Sequence, residues 1–301
     1  MAETILLTGA AGLIGRALHR RLLDRGDTVV AIDRIGGDGI HACDLTEVHR
    51  LHELGAAPTA VLHCGAISGP MVARDNPHLI VQSNIVGTAN ILELARVRRM
   101  RRVVFLSSVS AYGNTPEGVD PVPEGVVLSP TSVYGASKVA GEALVDAYHL
   151  QHGLDAVSLR PAWVYGPGRT TACAIRDMIE GAQSGRPTHF AFGRDFFRQY
   201  VHVDDVADAI MLALDAASFR QRAYTVTGGS YLTLGEVAEL VRKILPSAAI
   251  TMEAGRDPID DVQARFDISA AATDLGYRPR IALEDGIRSY AAWLAAQRQA
   301  A

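Results

Sequence analysis

The sequence predicts an α/β fold in which a doubly wound parallel sheet has helices on both faces and a smaller C-terminal lobe follows. Short apolar runs alternate with amphipathic stretches through the first half of the chain, and this alternation is typical of βα units. The apolar runs are nearly continuous, as expected of strands covered on both faces. After Pro161 the alternation loosens, and turns rich in glycine and proline interrupt it.

The predicted elements follow one another in the order that repeated βα units require. In the first half, strands are predicted at residues 4–8, 28–32, 59–63, 102–107 and 155–160, and helices at 13–25, 79–98 and 132–152. In the second half, the patterns predict strands at 200–203 and 223–227 and helices at 204–216, 233–244 and 283–297.

Composition favours a soluble enzyme and excludes several other classes. Hydrophobic residues make up 48% and charged residues 21%, and the net charge is −4. This balance does not fit a nucleic-acid or membrane partner, and no apolar run approaches the roughly 20 residues of a membrane span. A strand already begins at Thr4, so no signal peptide is expected, and Cys43, Cys64 and Cys173 lack metal-ligand spacing. We therefore expect a cytoplasmic protein without a bound metal.

The first predicted strand runs into a turn with the pattern G-x-x-G-x-x-G at residues 9–15. Gly9 permits the tight turn, Gly12 lets the backbone approach a pyrophosphate, and Gly15 lets the next helix pack close to the sheet. The N-terminus of that helix favours bound phosphate. A strand before the turn and a helix after it make the pattern specific for a dinucleotide. The predicted cofactor-binding residues of this turn are Gly9, Gly12, Leu13, Ile14 and Gly15.

The second predicted strand leads into Asp33, a candidate for selecting the cofactor. A carboxylate there accepts hydrogen bonds from the ribose hydroxyls of NAD and repels the 2′-phosphate of NADP. Arg34, the next residue, could instead help to bind the 2′-phosphate of NADP. Because Asp33 is the residue at the strand end, the sequence predicts NAD. We expect a Rossmann-type NAD-binding core over residues 1–165. Residues 166–301 should form mainly the substrate-binding lobe, with the segment of about 200–217 returning to the core.

Tyr134 and Lys138 form a Y-x-x-x-K motif on a predicted helix, with Ser132 before it as a helix-start signal. Four residues apart on a helix, both side chains lie on one face. The lysine ammonium and a positive nicotinamide ring lower the tyrosine pKa from about 10. Tyr134 can then accept the proton of a substrate hydroxyl as hydride leaves its carbon. Ser108, at the carboxyl end of a predicted strand, lies where it can orient the reacting oxygen.

Together these motifs resemble those of the extended short-chain dehydrogenase/reductases, the NAD-dependent epimerase/dehydratase group, over residues 3–297. The matching pieces are Gly9–Gly15, Asp33, Cys43-Asp44-Leu45, His63-Cys64-Gly65-Ala66, Asn84-Ile85-Val86-Gly87-Thr88, Ser107–Gly113, Tyr134–Lys138, Arg160-Pro161 with Tyr165-Gly166-Pro167, and Arg198–Asp205. Their order and spacing together are highly specific.

The resemblance implies particular roles for several residues. Asp44 and Leu45 should lie near the adenine, and the catalytic Ser/Thr position of the family falls on Ser108. It also implies a homodimer formed by the helices at 79–98 and 132–152. Further implied cofactor-binding residues are Cys64, Gly65, Ala66, Asn84, Tyr134, Lys138 and Pro161.

The residues after Ser108 narrow the reaction. Family members that eliminate water carry an Asp-Glu pair there, and reductive epimerases carry a cysteine at the first position, whereas this chain has Val109 and Ser110. Two reactions remain: 4-epimerisation through a keto intermediate that is re-reduced, and simple oxidation with NADH release. A non-catalytic NAD(P)-binding regulator is a third alternative, but such proteins typically lose the tyrosine or lysine, and both are present here.

The substrate is predicted from Arg198 and Trp163, which favour different classes of substrate. Arg198 matches the arginine that often contacts the diphosphate of a nucleotide sugar, and Arg256 is a candidate second contact. Trp163 stands where nucleotide-sugar members usually carry asparagine, which favours a smaller sugar acid or polyhydroxy compound and a dehydrogenase. The longer motif around Arg198 favours the nucleotide sugar. The predicted substrate-binding residues are Ser68, Ser108, Ser110, Trp163, Arg198 and Arg256.

Overall fold

The computed structural model describes residues 2–55 and 57–300. The strands within these ranges are β1 (Thr4–Thr8), β2 (Thr28–Asp33), β3 (His41–Ala42), β4 (Ala60–His63), β5 (Arg102–Leu106), β6 (Ala156–Pro161), β7 (Trp163–Tyr165), β8 (Thr188–Phe190), β9 (Phe197–Arg198), β10 (Tyr200–His202), β11 (Ala223–Val226), β12 (Leu232–Thr233) and β13 (Ile250–Met252). The helices are α1 (Leu13–Asp24), α2 (Val48–His52), α3 (Pro77–Ile80), α4 (Gly87–Val97), α5 (Val133–His152), α6 (Ala174–Gln183), α7 (Val203–Asp215), α8 (Leu234–Ile244) and α9 (Leu283–Ala300).

Seven strands form one sheet in the order β11-β6-β5-β4-β1-β2-β3. Every neighbouring pair in it is parallel. The strand order changes direction between β1 and β4, and a crevice opens at the carboxyl ends of strands at such a point. The predicted Rossmann-type doubly wound sheet is thus confirmed, and its topology places a ligand site beside β1 and β4.

The helix predicted at 79–98 contains an irregularity that the hydrophobic pattern did not indicate. The chain is helical from α3 through α4, but the segment Val81–Val86 between them is π-helical. Single π-helical turns occur often near functional sites. The short strands β7 to β9 were also not predicted, because two- or three-residue strands carry no measurable periodicity. Helix α6 was not predicted either, although it is amphipathic.

Apolar clusters cover both faces of the sheet. On one face, Leu18 and Leu22 of α1 pack in the same cluster as Ile210 and Leu214 of α7. On the other face, residues of α4 and α5 pack against the strands. A third cluster lies in the C-terminal half and joins α6, α8 and α9. The first two clusters fix the helices relative to the sheet, and the third holds the lobe together.

Helix α5 approaches the sheet closely because of a glycine and a buried ion pair. A Cβ atom added to Gly141 would lie 2.4 Å from Cζ of Phe105, so only glycine allows this approach. One residue later, the Glu142 carboxylate accepts from Nη2 of Arg160 at 2.6 Å and also from the hydroxyl of Ser107. These contacts tie α5 to the ends of β5 and β6.

Two segments of the C-terminal half belong structurally to the core. Helix α7 packs on α1, where Arg21 forms ion pairs with Asp204 and Asp208. Strand β11 adds the edge strand next to β6, although the sequence pattern placed it in the lobe. The remaining short strands pair outside the central sheet. In the part of the chain that the structure describes, no helix is both long and apolar enough to cross a membrane.

His63, at the end of β4, is a buried histidine in a fixed hydrogen-bond arrangement. Its Nδ1 lies 2.7 Å from the hydroxyl of Thr8, which accepts from the Gly65 amide, and its Nε2 lies 3.0 Å from the hydroxyl of Thr88. Since the Thr88 hydroxyl donates to the Asn84 carbonyl, His63 donates through Nε2 and accepts through Nδ1. Burial lowers the pKa of His63 to about 3, so the neutral form is the native one.

We expect this histidine to make the fold acid-sensitive. Its folded pKa lies below the unfolded value of about 6.5, so stability is lost as pH falls below that value, by about 2 kcal/mol between pH 7 and pH 5. In His63→Asn, the unfolding free energy measured by urea titration should fall by about 2 kcal/mol less than in wild type between pH 7 and pH 5. His49→Asn on the exposed face of α2 is the matched control. Equal pH dependence in wild type and His63→Asn would contradict this assignment.

Candidate active site

A cleft of about 840 Å³ runs along the carboxyl ends of the central strands. Residues from the ends of β1, β2, β4, β5 and β6 line it, which is the location that the strand order indicates. Most of the predicted site residues are among them: Gly9, Gly12, Leu13, Ile14, Gly15, Asp33, Arg34, Asp44, Leu45, Cys64, Gly65, Ala66, Ser68, Ser108, Ser110, Tyr134, Lys138, Pro161 and Trp163.

The glycine turn is as tight as its sequence predicts. Gly9 has φ 69°, a left-handed conformation that favours glycine, and an added Cβ would lie 2.7 Å from the Gly65 amide nitrogen. A Cβ on Gly15 would lie 2.0 Å from the Gly9 carbonyl oxygen. Helix α1 begins at Leu13 directly after Gly12, so its N-terminal end lines the cleft. The turn can therefore hold a pyrophosphate at the helix N-terminus.

The Asp33 carboxylate has a structural role in addition to the predicted one. Its Oδ2 accepts from the Ala11 amide at 3.1 Å, and its Oδ1 accepts from the Ile35 amide at 3.1 Å. It thus braces the glycine turn from the end of β2 while remaining part of the cleft lining. Carboxylate oxygens have further lone pairs, so these two bonds leave room for ribose hydroxyls.

Tyr134 and Ser108 meet at the inner end of the cleft. Tyr134 lies in the first turn of α5, which Ser132 caps by accepting from the Gly135 amide at 3.1 Å. Ser108 follows β5, and its hydroxyl oxygen accepts from the Ser110 amide at 3.1 Å. Burial raises the pKa of Tyr134, whereas hydrogen bonds from the hydroxyls of Ser68 and Ser108 lower it. Tyr134 thus lines the cleft together with the hydroxyl-bearing residues Ser68 and Ser108.

Lys138 lies one helical turn beyond Tyr134, with its charge next to both the tyrosine and the sheet. Its Nζ donates to the Leu106 carbonyl at 2.7 Å and lies 5.8 Å from the centre of the Tyr134 ring. Burial lowers the pKa of Lys138 to about 8. In the protein itself burial dominates the pKa of Tyr134. Lys138 does not offset this effect of burial, so the predicted lowering of that pKa would need a positive nicotinamide ring in the cleft.

Asn84 lies outside the cleft lining, although the sequence predicted a cofactor contact. Its Oδ1 accepts from the Ile67 amide at 2.7 Å, and its Nδ2 donates to the Ile67 carbonyl and to the Ser137 hydroxyl. The buried amide joins the π-helical segment to the loop after β4 and to α5. Asn84 thus joins the loop that carries Ser68 to the helix that carries Tyr134.

Cys64 lines the cleft but is not a nucleophile. Burial raises the pKa of its thiol to about 12, so the thiolate is disfavoured at neutral pH. In the described ranges 2–55 and 57–300, no group of three or more His, Cys, Asp or Glu side chains is arranged to hold a metal ion. His202 caps α7 by accepting from the Asp204 amide, in keeping with a packing role.

The two predicted substrate arginines do not lie together in the cleft. Arg256 lines a neighbouring cavity of about 560 Å³, which shares Pro70, Tyr134 and Asp260 with the cleft. Arg198 is buried in β9 and lines neither space. The contact of Arg198 with a substrate anion therefore stays a prediction.

Two aspartates that the sequence analysis did not single out hold Arg198. Its Nε donates to Oδ2 of Asp260 at 3.0 Å, and its Nη2 donates to Oδ2 of Asp257 at 2.5 Å. The guanidinium also lies over the rings of Trp163 and Phe196, at 5.8 and 5.0 Å from their centres. About sixty residues separate the partners in sequence, so only the density of aspartate after Arg256 could have indicated them.

A phosphate-binding turn at the point where the strand order reverses, with a Ser–Tyr–Lys group beside it, defines a nicotinamide-dependent oxidoreductase of the short-chain type. More specifically, the chain belongs to the NAD dependent epimerase/dehydratase family, whose model matches residues 5–227. The family predicted from the sequence is thereby confirmed, together with the enzymatic class and the cofactor NAD.

Relatives and solved structures resemble the chain over nearly its whole length. The UDP-glucose 4-epimerase of Mycolicibacterium smegmatis is 31% identical over 94% of this chain and 95% of that protein. UDP-glucuronate 4-epimerase 1 of Arabidopsis thaliana is 27% identical, over 96% of this chain and 76% of that protein. The crystal structure of the Thermus thermophilus UDP-glucose 4-epimerase in complex with NAD matches with a TM-score of 0.85 and 29% identity, over 97% of this chain and 99% of that one.

We expect the Asp33 charge to set the preference for NAD over NADP. Asp33→Asn keeps an acceptor for the Ala11 amide but removes the repulsion of a 2′-phosphate. The ratio of the NADP dissociation constant to the NAD dissociation constant should therefore fall by about tenfold or more. Calorimetric titration with both cofactors measures this ratio. Asp24→Asn, at the exposed end of α1, makes the same charge change away from the cleft. An unchanged ratio in Asp33→Asn would refute the role given to this carboxylate.

Proposed function

We propose that the protein is an NAD-dependent sugar epimerase of the 4-epimerase type that acts on a secondary hydroxyl of a nucleotide sugar. The observation that carries the proposal is the group of Ser108, Tyr134 and Lys138, which together line the cofactor cleft at the ends of the central strands. The nucleotide-sugar substrates named for the relatives support the choice of substrate.

The residues of this chain can move one proton at the reacting carbon. NAD, when bound, supplies the acceptor and later the donor of the hydride. The Ser108 hydroxyl orients the substrate oxygen, and Tyr134 takes the proton of the substrate hydroxyl on its phenolic oxygen. Lys138 stabilises the negative charge of the tyrosine during this step. Return of the same proton from Tyr134 to the keto oxygen completes re-reduction.

Epimerisation requires the keto intermediate to present its other face to the cofactor. The cavity of about 560 Å³ that borders Tyr134 and Asp260 gives the sugar room to turn without leaving the protein. The residues that border both spaces, Pro70, Tyr134 and Asp260, therefore favour epimerisation over simple release of the ketone.

A second candidate function is an NAD-dependent dehydrogenase of a small sugar acid or polyhydroxy compound. Two observations favour it: the indole of Trp163 occupies part of the cleft wall, and the Arg198 guanidinium is already paired with carboxylates. The two candidates differ in net cofactor use, since an epimerase returns its hydride and a dehydrogenase accumulates NADH.

Tyr134→Phe tests the reaction common to both candidates. Removing only the proton acceptor should lower kcat by about 10²- to 10⁴-fold and leave the dissociation constant of NAD unchanged. Chromatography of UDP-sugars reports epimerisation, and absorbance of NADH with free sugar acids reports dehydrogenation. Tyr148→Phe, on the same helix but bonded to Glu93 outside the cleft, should keep full activity. Near-normal turnover in Tyr134→Phe would overturn the proposed mechanism.

We also propose a cytoplasmic homodimer that pairs α4 and α5 with their copies. Apolar side chains on these helices and at their ends are exposed, with Val97 51%, Val133 42% and Leu150 81% accessible. The three cysteines are free thiols, which supports a reducing compartment. Light scattering at micromolar concentration should give twice the chain mass of 32.1 kDa, and a monomer mass would contradict the dimer.

A further inference from the structure

Arg198, Asp257 and Asp260 form a buried charged cluster, called here the Arg198 cluster, between β9 and the loop after β13. Their side chains are 5%, 12% and 10% exposed, respectively. The cluster contains two carboxylates and one guanidinium, so it carries a net charge of −1. The Trp163 ring packs against its cationic member.

The two carboxylates of the Arg198 cluster line the spaces that adjoin Tyr134. Asp260 lines both the cofactor cleft and the neighbouring cavity, and Asp257 lines that cavity. Tyr134 lines both spaces as well. A substrate held at Tyr134 therefore places its distal part against carboxylates.

The hydrogen bonds of the cluster leave no bidentate donor pair for a phosphate. Nε and Nη2 of Arg198 already donate to carboxylate oxygens, and Nη1 is buried without a hydrogen-bond partner among the described residues. Oδ1 of Asp257 accepts from the Ile259 amide at 2.9 Å, which fixes the loop that presents it. One remaining donor and several carboxylate lone pairs fit hydroxyl groups, which both donate and accept.

The other charged side chains of the cavity sum to +1 and offset the −1 of the Arg198 cluster, so the two together carry no net charge that would attract an anion. These side chains are Arg74, Arg256 and Asp261, so with the Arg198 cluster three arginines balance three aspartates. A phosphate approaching Arg198 would meet the Asp257 and Asp260 carboxylates, and like charges at such distances repel strongly where water is scarce.

We propose that Asp257 and Asp260 are specificity-determining residues, which make this part of the site take an uncharged, hydroxyl-bearing group and bind a diphosphate weakly. The proposal rests on the proposed function in one respect, namely that the substrate occupies the cleft and its adjoining cavity. A diphosphate in a nucleotide sugar would then add little affinity, whereas a small polyhydroxy substrate would lose none.

The test compares uridine with UDP on the NAD-saturated enzyme by calorimetric titration. In wild type, UDP should bind within about threefold of uridine, because the diphosphate gains no net attraction. Asp257→Asn keeps the side-chain volume and an acceptor for the Ile259 amide but removes one charge, so affinity for UDP should rise about tenfold while that for uridine stays constant. Asp260→Asn should act in the same direction. Asp120→Asn, which removes the same charge from an exposed pair with Arg265, should change neither value.

Two results would overturn the proposal: wild type binding UDP about a hundredfold more tightly than uridine, or Asp257→Asn and Asp260→Asn binding UDP no better than wild type. Thermal unfolding confirms that each variant is folded before titration. Because the titrations need no turnover, a wild-type enzyme inactive on every sugar would count against the proposed function and leave this test intact.

Discussion

The placement of the reactive groups depends on one buried ion pair, between Glu142 of α5 and Arg160 of β6. The guanidinium donates from Nε and Nη2 to the carboxylate, and the Ser107 hydroxyl donates to the same carboxylate. Both side chains are at most 8% exposed, so loss of either partner would leave an uncompensated buried charge, at a cost of about 3–5 kcal/mol. Glu142 lies one helical turn after Lys138, and Ser107 lies next to Ser108. The pair therefore sets the distance between the lysine, the tyrosine and the serine.

Close backbone contacts of two glycines fix the cofactor end of the cleft, as the ion pair fixes the reacting end. Gly9 lies against the chain after β4 and Gly15 lies against the Gly9 carbonyl, and at both positions even a methyl group would collide with backbone. Asp33 fixes the glycine turn from β2 through the Ala11 amide. The cofactor end and the reacting end of the cleft are thus both held by contacts between strand ends and the turn or helix that follows a strand, which is why the strand order determines the position of the site.

The local sequence predicted those features of the site that depend on a short pattern. The glycine turn, the strand-end Asp33 and the pair of Tyr134 and Lys138 on one helical face all follow from spacing over a few residues. The partners that depend on long-range packing could not be predicted. Asn84 bonds to Ile67 and Ser137, and Arg198 is enclosed by Asp257 and Asp260, while their predicted ligand contacts stay predictions. No local pattern encodes a partner about sixty residues away.

The electrostatics of the cleft link cofactor binding to catalysis. Burial raises the pKa of Tyr134 and lowers that of Lys138, so in each case it disfavours the charged form that the reaction uses. The glycine turn and Asp33 would hold NAD in this cleft, and its positive charge when oxidised would favour the ionised form of the Tyr134 phenol. Tyr134 would then accept the substrate proton more readily with oxidised cofactor bound than with reduced cofactor bound. The same buried tyrosine can therefore accept a proton in the oxidising half of the cycle and donate it in the reducing half, as a reaction that regenerates its own cofactor requires.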